Sequence, residues 1–92
     1  MIFQRLHLSL YPETGWRIQW HIEGLTNDDT IIVQRGSSQL GPWEDIASLE
    51  SHIVFYTDTV PNFRGFFSNL YYRLIVKDID DNEKGISAPF NG

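Results

Sequence analysis

Apolar and polar residues alternate with a period of two through most of this chain, and that pattern restricts it to extended structure. Leu6, Leu8 and Leu10 are in phase, with Arg5, His7 and Ser9 between them. Trp16, Ile18, Trp20 and Ile22 alternate with Arg17, Gln19, His21 and Glu23, and Leu70, Tyr72, Leu74 and Val76 with Tyr71, Arg73, Ile75 and Lys77. Successive side chains of a strand point to opposite faces, so each such segment buries one face and wets the other. A β-branched run at 30–35, a segment at 51–57 with Val54 and Tyr56 in phase, and a closing segment at 85–89 add further strands. Turn residues punctuate them at 12–15, 24–29, 36–42, 61–65 and 80–85. Only residues 43–50 offer helical spacing, through Trp43, Ile46 and Ala47. Gly41-Pro42 and Ser51 confine that segment to a length at which an isolated helix is unstable. About seven short strands with turns every ~8–12 residues predict an all-β antiparallel sandwich.

Size sets the next limit. Ninety-two residues bury one core, so the expectation is a single domain over 1–92 without a cleft between lobes. The chain has no cysteine, so packing alone must hold it, and thiol chemistry and cysteine-based metal sites are excluded. Twelve acidic residues against seven basic ones give a net charge of −5, the wrong sign for nucleic acid or an anionic membrane. No apolar run approaches a membrane span, and the start, Met1-Ile2-Phe3-Gln4-Arg5-Leu6-His7, carries no signal-peptide pattern. The chain therefore reads as a soluble product with its own initiator methionine.

Four features resemble a fibronectin type III domain over essentially the whole chain. Trp20 stands in the second strand, where that family keeps its core tryptophan. Ile31-Ile32-Val33-Gln34-Arg35 is similar to its third strand, with Gly41-Pro42-Trp43-Glu44-Asp45-Ile46 at the place of the next. Tyr56-Thr57-Asp58-Thr59 resembles its Tyr-Thr-Asp segment, and Tyr71-Tyr72-Arg73-Leu74 with Gly85-Ile86-Ser87-Ala88-Pro89 its last two strands. The resemblance implies an immunoglobulin-like fold. One departure stands out: Leu70 occupies the slot of the family's corner tyrosine, three residues before Arg73. The hydrogen bond of that tyrosine is then lost or supplied by another group.

Several clusters are candidates for function. With Leu8 opposite Trp20, His7 would face His21 and Arg5 would face Glu23 on the outer surface. Two solvated imidazoles without ligand spacing predict negligible metal affinity. Asp78, Asp80, Asp81 and Glu83 share an end of the sandwich with Asn27, Asp28 and Asp29, making that end negative. The run from Asp78 opens like a calcium loop, but Glu83 replaces the turn glycine and Pro89 the final glutamate. Phe63, Phe66 and Phe67 crowd a loop at 60–69 that should be polar, with Arg64 among them. They either plug the end of the sandwich or stay exposed until a neighbouring subunit covers them. Aromatic residues with arginine are the composition of interface hot spots. A second candidate interface is the outer sheet face carrying Ile32, Gln34, Tyr71, Arg73 and Ile75, with Ile32, Tyr71 and Ile75 contiguous if their strands pair.

Catalysis finds little support. There is no cysteine nucleophile, no Gly-x-Ser-x-Gly elbow and no phosphate-cradling glycine loop, and the paired carboxylates lie in turns. The expectation is a non-catalytic module without cofactor, bound to other structural proteins of an assembly or to copies of itself. Fibronectin-type modules encoded almost alone are similar to those on tailed-bacteriophage particles, which implies a virion structural or decoration protein of capsid, neck or tail. The alternative is an adhesion or carbohydrate-associated module of an extracellular multidomain protein.

Overall fold

The computed structural model describes residues 1–11, 15–59 and 70–91, and every regular element in them is a β-strand. The strands are β1 (Ile2–Tyr11), β2 (Gly15–Glu23), β3 (Thr30–Gly36), β4 (Trp43–Glu50), β5 (Phe55–Asp58), β6 (Tyr71–Lys77) and β7 (Glu83–Ile86). They form two antiparallel sheets, one ordered β1-β2-β5 and the other β4-β3-β6-β7. Among the described residues no helix is long and apolar enough to cross a membrane.

The alternation seen in the sequence becomes the inner face of each sheet. Leu8, Trp16, Ile18, Trp20 and Ile22 from the first sheet meet Ile31, Val33, Tyr72, Leu74 and Val76 from the second in one core. Full burial of an aliphatic side chain of this size is worth about 1.5–3 kcal/mol. Trp20 anchors the centre. Its indole Nε1 donates to the Ile53 carbonyl at 3.2 Å, so the polar edge of the ring is satisfied where its body is buried.

The first hairpin differs from the expected register. Tyr11 pairs with Gly15 and Leu8 with Ile18, so His7 lies opposite Gln19 and His21 opposite Gln4. Gly15, which opens β2 opposite Tyr11, has a φ of 113°. A Cβ there would drive into the Asp58 carbonyl of the neighbouring strand, so only glycine can bring the start of β2 this close to β5. A second irregularity follows between Gln4 and His7, where Arg5 and Leu6 together oppose Trp20. This β-bulge reconciles two apolar phases: Phe3 and Leu8 both face inward although their numbers differ in parity.

Two further boundaries move, while the segment at 43–50 keeps its bounds. The segment at 43–50 is an edge strand whose tertiary pairing with β3 outweighs its helical spacing. The strand expected at 51–57 begins only at Phe55, because Ile53 N–H turns back to the Glu50 carbonyl at 3.1 Å. The last strand is Glu83–Ile86 rather than 85–89. Beyond it the Ser87 hydroxyl accepts the Leu74 N–H at 2.8 Å and so replaces a main-chain acceptor. Phe90 then rejoins the sheet as a single bridge to Tyr72.

Candidate interaction surfaces

The outer face of the four-stranded sheet is built by register. Ile32 pairs with Ile75, and Ile75 with Ile86, so three isoleucines form a row across β3, β6 and β7. Ile75 is only 8% exposed although it lies on the face away from the core. Tyr71 is not part of that row. It pairs with Gly36, four positions along from the Ile32–Ile75 pair, and Arg73 opposite Gln34 lies between.

A polar chain fills the interval. Arg73 Nε donates to Gln34 Oε1 at 2.6 Å, and Gln34 Nε2 donates to Asp45 Oδ1 at 2.6 Å. The Arg73 guanidinium also stacks over the Trp43 ring, 4.3 Å from its centroid. Beneath that ring lies Gly36, where a Cβ would come within 3.0 Å of Trp43 Cε3. Arginine and glycine thus hold the indole, and stacking a sugar on its arginine face would require displacing Arg73. Neither Trp43 nor Ile86 was among the interface residues expected from sequence. Both follow from strand pairing, since Trp43 sits opposite Gly36 and Ile86 opposite Ile75.

The sheet edges are less available than the faces. β1 is interrupted by its bulge, β4 carries Glu44, Asp45 and Glu50 with a register shift opposite Val33/Gln34, and β5 and β7 are four residues long each. Bulges, charges and short length discourage strand addition.

At one end, Thr30 pairs with both Glu50 and Lys77, so the loops around residues 24–29, 51–54 and 78–82 gather together. This is the negative end expected from sequence. Asp29 is buried there and accepts Lys84 Nζ at 2.7 Å and its own turn's Thr26 N–H at 2.8 Å. The hydrogen bond from Lys84, opposed by burial, holds the Asp29 carboxyl below the ordinary carboxylate range. Asp78 is committed to its own turn, with Oδ1 accepting the N–H groups of Asp80 and Asn82 at 2.9 Å each. An open hollow of about 490 Å³ lies between Asp28, Asp29, Glu50 and His52. Among the described residues no group of three or more His, Asp or Glu is arranged to hold a metal ion.

Inside, a second polar cluster ties the two sheets together. Asp58 on β5 receives Arg35 Nη1 at 2.9 and 2.8 Å and the Tyr72 hydroxyl at 2.7 Å. Arg35 and Tyr72 are opposite each other on β3 and β6. Arg35 reaches outward to Glu44 at 3.3 Å as well. Burial, reinforced by the Asp58 carboxylate, pushes the Tyr72 hydroxyl far above the usual tyrosine range, so it stays a neutral donor. Asp58 and Arg35 were visible in the sequence only as parts of strand-like motifs, without a sign that they would meet.

Phe63, Arg64, Phe66 and Phe67 lie outside the described residues. No family model, curated protein or solved structure matches this chain.

Proposed function

We propose that this chain is a non-catalytic fibronectin type III-like module that serves as a structural subunit of a larger protein assembly, held through the outer face of its four-stranded sheet. The observation that carries this reading is the Ile32–Ile75–Ile86 row on the outer sheet face, where Ile86 is exposed beside a half-buried Ile32 and a buried Ile75. Tyr71 and Arg73 on the same face add the residue types that dominate binding energy at interfaces. Protected edges favour a partner that docks on a face over one that extends a sheet.

The division into three and four strands, with Trp20 in the core and the fourth strand beside the third, supports the fibronectin type III-like assignment. The setting that resemblance implies is the particle of a tailed bacteriophage, with this chain decorating the capsid or joining neck and tail parts. Cross-linking of purified native particles followed by mass spectrometry tests it. Cross-links from Lys77, two residues from Ile75 on β6, should reach other particle proteins. Ile86→Glu and Tyr71→Ala should keep the monomer's fold, read by circular dichroism, and lower incorporation at least about tenfold. Unchanged incorporation of both variants would overturn the proposed surface; absence of the chain from particles would overturn the setting.

A further inference from the structure

The bulge in β1 does more than reset the apolar phase. Arg5 takes a left-handed backbone conformation, with φ 54°, in the middle of an edge strand. For a residue with a side chain this costs about 1–2 kcal/mol, and such strain is often found at ligand clamps. Here it leaves Arg5 exposed while Leu6 packs against the core. Arg5, His7, Gln19 and His21 then border one hollow of about 440 Å³, with Trp20 and Val54 completing its lining. No carboxylate is among those lining residues.

We propose that this hollow binds a small oxyanion, a phosphate or carboxylate group, between Arg5, His7 and His21. A guanidinium offers planar paired donors to such a group, each imidazole adds a donor that becomes charged when protonated, and the Gln19 amide adds a neutral one. The hollow lies on the three-stranded sheet and is independent of the isoleucine row on the other one. Other charges nearby set its pH response. On β2, Glu23 lies 3.8 Å from His21 Nε2 and competes for it, while Arg17 stacks over Phe55 of β5 at 4.2 Å. The segment leading into β5 carries His52, which faces Glu50 at 3.4 Å. Protonating the imidazoles therefore strengthens binding, with the Glu23 pair as its internal competitor.

The test is a titration of the isotope-labelled full chain with sodium phosphate and, separately, with sodium formate, at constant ionic strength and about pH 5.5 or about pH 8. Saturable NMR shifts are expected at the His7 and His21 rings and the Gln19 amide. For formate, whose charge is the same at both pH values, binding should be at least about threefold tighter at the lower pH, whereas phosphate itself loses close to one negative charge there. The anion that saturates identifies the chemistry. Arg5→Gly, which tolerates the left-handed backbone, should weaken binding about tenfold. His21→Gln gives a second variant that leaves the bulge intact and should reduce the pH dependence. Lys77→Gln, at the opposite sheet, should bind as the parent does. Shifts that stay linear for both anions, that appear equally at His52, or that survive Arg5→Gly and His21→Gln would overturn the site. None of these outcomes depends on whether the isoleucine face docks on a particle.

Discussion

The Tyr72 hydroxyl donates to Asp58 Oδ2 across 2.7 Å, joining β6 of one sheet to β5 of the other inside the core. Apolar packing between sheets is non-directional and tolerates sliding, whereas this bond fixes a point of contact. Arg35 neutralises the carboxylate, so Asp58 can be buried without an unpaired charge. Tyr72 thereby pins β6 to the opposite sheet.

Removing that bond should be costly. Tyr72→Phe keeps the ring and deletes the hydroxyl, and should lower unfolding free energy by about 1.5–3 kcal/mol, as for a hydrogen bond to a charged group. Asp58→Ala should cost more, about 3–5 kcal/mol, because it also leaves Arg35 without its inner partner. Urea denaturation of the two variants and their double mutant measures both effects and their coupling. Equal stability of parent and Tyr72→Phe would contradict the assigned role.

The same tyrosine sets the alkaline limit. Its folded-state pKa is raised, chiefly by burial, above that of an unfolded-chain tyrosine near about 10. Stability from this group is complete below about pH 10 and declines above it, as the unfolded chain ionises and the folded one does not. Tyr72→Phe should remove this part of the decline, which melting curves from about pH 8 to about pH 11 would reveal.

Acid should act through Asp29. Its folded pKa is depressed, so its contribution is present above the ordinary aspartate range and lost as pH falls through the lowered value. Lys84→Met deletes the 2.7 Å partner. It should cost about 1–2 kcal/mol at neutral pH and flatten the acid limb of a stability–pH profile. An unchanged acid limb would show that the Asp29–Lys84 pair does not control it.

Gly15→Ala should be among the most damaging small substitutions. The added methyl strains a φ of 113° and collides with the Asp58 carbonyl, next to the buried polar cluster. A loss of at least about 3 kcal/mol is expected in chemical denaturation, compared with tenths for Gly→Ala at a relaxed exposed site.

Strand content and the inward faces were legible because a period of two is a local property of the chain. Trp16, Ile18, Trp20 and Ile22, and Tyr72, Leu74 and Val76, are buried as their alternation requires. Register was less legible. Pairing Leu8 with Trp20 satisfied the apolar pattern, but so does pairing it with Ile18, and the pattern cannot choose between shifts of two residues. The phase change at Arg5 did leave a trace: Phe3 and Leu8 are both apolar at positions of opposite parity, which the bulge brings to one face.

By itself, then, the sequence determined an all-β chain with one core, no thiol chemistry and a negative end. These follow from composition, period and the placement of turn residues, which need no knowledge of distant neighbours. The tertiary structure decided which residues meet. It set Ile86 beside Ile75, Arg73 on Trp43, Lys84 on Asp29 and Tyr72 on Asp58, contacts that depend on strand register, on a β-bulge and on how the two sheets face each other. The close approach of Gly15 to the Asp58 carbonyl is likewise invisible until β5 is in place beside β2.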